Sequence, residues 1–202
     1  MKRIIFFLLF LNFSFGFADN LDTIENVINK AKSIKAEFTQ ISKIKGFEEE
    51  SKFDGYLYIS KPDKIKIEYV SPEKNIIFVE NNKVIIYNPK DKQAMISQLS
   101  NQFIVVKLFN IIASNESFKK LFNIINEEKN NKEISITLKP KNDNQLESVK
   151  LTFLNKSYKL KQIKIVDKEG NQIIVNFKRF EFINKKLPLE FKLPEGVQIF
   201  YQ

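Results

Sequence analysis

Apolar residues at positions 21, 24, 27, 28, 31 and 34 recur at a helical period. They predict an amphipathic helix over 21–34 with one buried stripe. Lys30, Lys32 and Lys35 lie toward its C-terminal end, where a cation complements the helix dipole. The period then changes to two. Phe53, Gly55, Leu57 and Ile59 fall on one face, and Ile65, Ile67 and Tyr69 continue the pattern beyond a turn at Lys61-Pro62-Asp63-Lys64. Two β-branched and aromatic runs, 76–79 and 84–87, flank Asn81-Asn82, a pair that accepts positive φ in a tight hairpin. A turn at Asn88-Pro89-Lys90-Asp91 leads to a short strand through Ala94 and Ile96.

The alternation breaks between 101 and 125. Phe103, Ile104, Val105, Val106, Leu108, Phe109, Ile111 and Ile112 are too densely apolar for a single helical stripe, and Phe118, Leu121, Phe122 and Ile125 form a second set at helical spacing. A helix that is greasy on most sides must be covered on most sides. The segment therefore predicts two short helices lying over the open face of a sheet. Strands resume at 134–138, 149–153, 160–166 and 173–182, with turns at 141–145, 155–157 and 169–171. The apolar parity slips between Phe177 and Phe180, which predicts a bulge there. A last strand is expected near 197–201, after Pro188 and Pro194. The elements read as a helix, a long antiparallel meander, a helical insertion and a second meander.

The first eighteen residues stand outside this plan. Lys2 and Arg3 precede an apolar stretch from Ile4 to Phe17, and Gly16-Phe17-Ala18 offers small residues at the positions a signal peptidase reads. The expectation is a cleaved signal peptide over 1–18 and one domain over 19–202, exported and soluble after cleavage. The sequence has no cysteine. That removes both disulfides and the acylated cysteine that tethers a lipoprotein. The net charge is +9, or +7 without Lys2 and Arg3, and beyond them Arg179 is the sole arginine. Phosphate and base recognition favours arginine's bidentate fork. The lysines instead alternate with apolar residues, as in Lys64-Ile65-Lys66-Ile67. No nucleic-acid partner is expected.

Catalysis finds few tools here. Histidine and cysteine are both absent, so Ser-His-Asp and Cys-His chemistry and the usual zinc sites are excluded. Glu48-Glu49-Glu50 reads as a solvated charge run beside Lys52. Asp167-Lys168-Glu169-Gly170-Asn171 lacks the further acidic positions of a calcium loop and reads as a hairpin turn. The glycines are scattered singly, so no phosphate-cradling loop exists. The chain is expected to be neither an enzyme nor a holder of cofactor or metal. The unusual feature that remains is twenty phenylalanines with no tryptophan.

Ordered motifs now add to that picture. Ser33 to Gln40, Gly55-Tyr56-Leu57-Tyr58-Ile59-Ser60-Lys61-Pro62, Glu68 to Pro72, Val84 to Pro89 and Leu193-Pro194-Glu195-Gly196-Val197 together resemble the periplasmic outer-membrane lipoprotein carrier family, LolA. The resemblance is strongest over 33–96. It implies an α+β fold, mainly antiparallel β: an incomplete, half-open β-barrel with a helical lid over an apolar cavity. It also implies a monomer that takes acylated lipoproteins from an inner-membrane ABC lipoprotein exporter and hands them to an outer-membrane acceptor. On this reading Phe38, Leu57, Ile59, Ile65, Ile67, Tyr69, Phe78 and Tyr87 line the sheet side of the cavity. Phe103, Val106, Phe109 and Ile112 belong to the lid. Lys61 and Pro62 occupy the family's lid-latching turn, where arginine is usual before the proline. Alternatives are an outer-membrane acceptor of the same fold, a lipid-sensing periplasmic regulator, and a structural β-protein that binds no lipid.

Overall fold

A computed structural model describes residues 20–202. The expected signal segment, 1–18, lies outside the described residues.

The described residues open with helix α1 (Asn20–Lys30), which buries Leu21, Ile24 and Ile28 along one stripe. Asp22 stands in its first turn and Lys30 in its last, each matching the local sign of the helix dipole. Six strands follow: β1 (Ser33–Lys43), β2 (Glu50–Ser60), β3 (Lys64–Ser71), β4 (Asn75–Glu80), β5 (Lys83–Asn88) and β6 (Gln93–Gln98). Asn81 and Asn82 both adopt positive φ in the β4–β5 turn, as the sequence requires. A single 3-10 turn at Asn101–Phe103 leads into α2 (Ile104–Ser114). The second meander runs through β7 (Phe122–Lys129), β8 (Glu133–Pro140), β9 (Leu146–Leu154), β10 (Leu160–Asp167) and β11 (Gln172–Ile183), and β12 (Gln198–Tyr201) closes the chain.

All twelve strands form one sheet in the order β12-β6-β5-β4-β3-β2-β1-β11-β10-β9-β8-β7. The sheet is open, because β12 and β7 are its two edges. Every pairing is antiparallel except β12 with β6. The parity slip in β11 is real: Glu37 pairs with Arg179 while Phe38 pairs with Phe177, so Lys178 is the extra residue of a bulge.

One expectation fails. Residues 118–125 do not form a second lid helix. Phe118–Lys120 is a single 3-10 turn, and Phe122 begins edge strand β7. The helical spacing of Phe118, Leu121, Phe122 and Ile125 is incidental, since Phe118 and Phe122 are buried while Leu121 and Ile125 are 37% and 56% exposed. An edge strand has only one neighbour and tolerates this departure from strict alternation.

One face of the sheet is covered by helices and the other in part by an extended segment. On the concave side α1 and α2 pack over Ile34, Leu57, Ile59, Ile65, Ile67 and Val79 to make the main core. On the convex side the segment 184–197 runs from β11 back to β12. Leu187 donates its N–H to Ser33 Oγ (2.9 Å) and accepts from Ser60 Oγ (2.9 Å). Phe191 then sits against Phe78 and Tyr87, with ring centroids 5.8 and 6.0 Å away.

Candidate functional site

The concave face is built by strand alternation. Leu57 pairs with Ala36 and Ile67, and Ile59 with Ile34 and Ile65, so successive inward residues lie side by side across β1, β2 and β3. Phe38 sits opposite Gly55. A Cβ at Gly55 would stand 2.5 Å from the Glu68 carbonyl oxygen and 2.9 Å from the Phe38 ring, so only glycine lets that ring lie flat over β2. The ring meets Tyr69 edge-on at 5.6 Å. Tyr69 donates from its hydroxyl to Gln40 Oε1 (3.0 Å), and burial pushes its pKa up to about 12. It stays neutral and bonded at any physiological pH.

The lid helix meets this surface from above. Val106, Leu108, Phe109, Ile111, Ile112 and Ala113 of α2 are buried, whereas Phe103, Ile104 and Val105 are only partly so. Phe109 packs against Phe177 at 6.2 Å, and Phe177 touches Phe38 at 6.4 Å. An aromatic bridge therefore joins lid to sheet through a strand that sequence patterning did not assign to the site. Phe177 escaped notice because it adjoins the β11 bulge, where parity gives no guide.

Phe38, Leu57, Ile59, Ile65, Ile67 and Tyr69 thus share the concave face with Phe103, Val106, Phe109 and Ile112 of the lid side. Phe78 and Tyr87 do not. Phe78 pairs with Lys66 and Ile85, and Tyr87 with Ile76 and Ala94, all of the opposite parity to Ile67, Ile77 and Ile86. They belong to the convex face beneath Phe191. The inward positions in these strands are Ile77, Val79, Val84 and Ile86. Both faces are covered, so both parities are apolar and the run from Ile76 to Val79 carries no signal of direction.

Lys61 is buried, 7% exposed. Its backbone N–H donates to the Lys32 carbonyl at 3.0 Å. Its Nζ donates to the Ile28 carbonyl at the end of α1 (2.7 Å) and to Asn115 Oδ1 at the end of α2 (2.7 Å). Burial pulls its pKa from 10.5 down to about 8, while the two acceptors favour the ammonium form. Asn115 can serve because it is the left-handed C-cap of α2 (φ +59°), its own N–H donating to the Ile111 carbonyl. A second staple joins the middle of α1 to the segment just after α2, since Glu25 accepts from Ser117 Oγ (3.1 Å) and Phe118 N (2.7 Å). No local pattern pointed to Asn115 or Glu25, whose partners lie 54 and 92–93 residues away.

A cleft of about 490 Å³ opens at the other end of α2. Ile104, Leu146, Ile165 and Ile173 line its floor, and Asp143, Asp167 and Glu169 stand at its rim. Among the described residues no group of acidic side chains is arranged to hold a metal ion, and no helix is long and apolar enough to cross a membrane.

Comparison with known proteins places the chain among relatives. The family profile described as "Outer membrane lipoprotein carrier protein LolA" matches residues 29–193. The outer-membrane lipoprotein carrier protein of Aliivibrio salmonicida is 25% identical over 98% of this chain and 98% of its own length. That of Chromohalobacter salexigens is 23% identical over 86% of this chain and 82% of its own. In three dimensions, an uncharacterized conserved protein from Thermus thermophilus superposes with a TM-score of 0.58 at 12% identity, covering 91% of this chain and all of that one.

Proposed function

The chain belongs to the LolA family of outer membrane lipoprotein carrier proteins, and from that premise we propose that it binds the acyl chains of lipoproteins released from the inner membrane and carries them across the periplasm to the outer membrane. Its family consists of non-enzymatic carriers, so the chain is a chaperone rather than an enzyme. The donor in this reading is an inner-membrane ABC lipoprotein exporter and the recipient an outer-membrane acceptor. Residues 1–18 would direct export and be removed.

The observation that carries the reading is the pair of helices latched over an apolar concave face by one buried lysine. Hydrocarbon transfer from water is worth about 0.8 kcal/mol per buried methylene, so three long acyl chains offer tens of kcal/mol in gross terms. A carrier that retained all of this would never release its cargo. The lid solves the problem by offering its own side chains as competitors. Closed, α2 buries Phe109 and Ile112 against the sheet. Cargo must displace those contacts, and only the difference remains as net affinity. Lys61 acts as the latch. It ties the C-terminal end of α2 to the Ile28 carbonyl of α1 through Asn115, so the helix pair stays joined at that end.

Depletion of the protein, followed by separation of inner and outer membranes, tests this function. Lipoproteins stranded in the inner membrane are the expected result. Unchanged sorting under full depletion contradicts it.

A further inference from the structure

The two ends of α2 are held in different ways. At the C-terminal end Asn115 is bonded to Lys61, while Glu25 grips Ser117 and Phe118. Lys119 pairs with Asp22 of α1 at 2.6 Å just beyond. These bonds are charge-assisted, the stronger class of hydrogen bond. At the N-terminal end the capping residue is Phe103, which supplies no side-chain cap, and Phe103, Ile104 and Val105 are only partly buried. That loosely covered end borders the cleft between the β8–β9 and β10–β11 turns. Its floor is hydrocarbon from three strands and the lid, continuous with the main core through Leu146, Ile165 and Ile173. Its rim is polar and held in place. Asp143 accepts from the backbone of Gln145 and Leu146, and Asp167 from Asn171, which is itself bonded to the Lys45 backbone.

We infer that an acyl chain enters beneath the lid at the N-terminal end of α2, between Ile104 and the Leu146, Ile165 and Ile173 side chains, with α2 pivoting on its clamped C-terminal end. This rests on the carrier reading and adds to it a direction. A hydrocarbon chain finds an apolar wall at the cleft before the lid has moved, and its polar head stays in water at the rim. Advancing inward, it lifts the end of α2 that has the least to lose. Phe103 and Ile104 leave the sheet first, then Phe109 separates from Phe177. The latch at Asn115 stays closed.

The sequence has no cysteine, so two introduced thiols form a unique pair. Ile104→Cys with Leu146→Cys joins α2 to the β8–β9 turn across the cleft. Glu25→Cys with Ser117→Cys replaces the 3.1 Å hydrogen bond at the pivot. The probe is a synthetic triacylated cysteine lipopeptide carrying a fluorophore on its peptide, with binding read by anisotropy. The oxidised 104–146 protein is expected to lose at least about tenfold in binding and to recover on reduction. The oxidised 25–117 protein is expected to stay within about twofold of its reduced form. Ile173→Trp, which fills the cleft without a cross-link, is expected to slow association by a similar factor. Undiminished binding by the oxidised 104–146 protein, or loss confined to the 25–117 pair, overturns the proposed direction while leaving the carrier function intact. An unmodified protein that binds no lipopeptide overturns both.

Discussion

Both faces of the sheet carry covered apolar residues, but the covers differ: two helices lie over the concave face, and an extended strap lies over the part of the convex face around Phe78 and Tyr87. The convex face lies under 184–197, an extended segment fastened by neutral hydrogen bonds at Leu187 and by Phe191 between Phe78 and Tyr87. The concave face lies under α2, whose C-terminal end is held by Lys61 and Glu25 and whose N-terminal end borders an open cleft. Covering a surface permanently and covering it reversibly use the same hydrophobic free energy. What distinguishes them is where the bonds are placed.

Aromatic truncation on each face gives the sharpest contrast. Phe109→Ala removes a fully buried ring and is expected to cost the empty protein about 3–4 kcal/mol in denaturant unfolding. It should also weaken lipopeptide capture. Phe191→Ala removes a half-buried ring and is expected to cost about 2 kcal/mol, with capture unchanged. Equal loss of capture in both variants would erase the distinction between the faces.

Lys61→Ala ranks next. It strips charge-assisted bonds from the Ile28 carbonyl and Asn115, with an expected cost of about 2 kcal/mol. Hydrogen exchange should rise at the ends of both helices and stay unchanged in 184–197.

A pH effect follows from the same residue. Lys61 has its pKa pulled down to about 8 from 10.5 in the closed state. Below pH 8 it is protonated whether the lid is open or closed, and the closed state bears the full penalty of a buried ammonium. Between about 8 and 10.5 the open or unfolded state binds more protons, so closure gains stability as pH rises. Lys61→Arg does not titrate in this range. The stability difference between the unmodified protein and this variant should therefore grow in favour of the unmodified protein from pH 8 to 10, measured by urea unfolding. A flat difference would mean that Lys61 is not the buried cation described.

Smallest is Ser33→Ala, which removes the acceptor for Leu187 N on the convex face. The expected cost is about 1 kcal/mol, without change in lipid capture.

Much of this architecture was legible in the sequence where one face of an element meets water. The α1 stripe, the strands of the first meander and the β11 bulge all announce themselves through period and parity. The pattern fails where both sides are covered or one side is unpaired. Phe78 and Tyr87 looked inward because the whole run 76–79 is apolar, yet 184–197 supplies a second buried surface that no local signal reveals. The β7 edge strand copied a helical spacing because one of its long sides has no partner strand. Lys61 could be singled out only through family resemblance, and its partners Ile28 and Asn115 are 33 and 54 residues distant. The cleft at Ile104 draws on residues from three separate stretches, which a one-dimensional pattern cannot bring together.

A photo-crosslinking amino acid placed at Leu57, at Phe109 and at Phe78, in cells producing their normal lipoproteins, tests the central claim most directly. Leu57 and Phe109 lie on the concave side, and Phe78 supplies a convex-face control of similar burial. The account predicts capture of acylated lipoproteins at Leu57 and Phe109 and none at Phe78. Capture at Phe78 alone, or at none of the three, would contradict it.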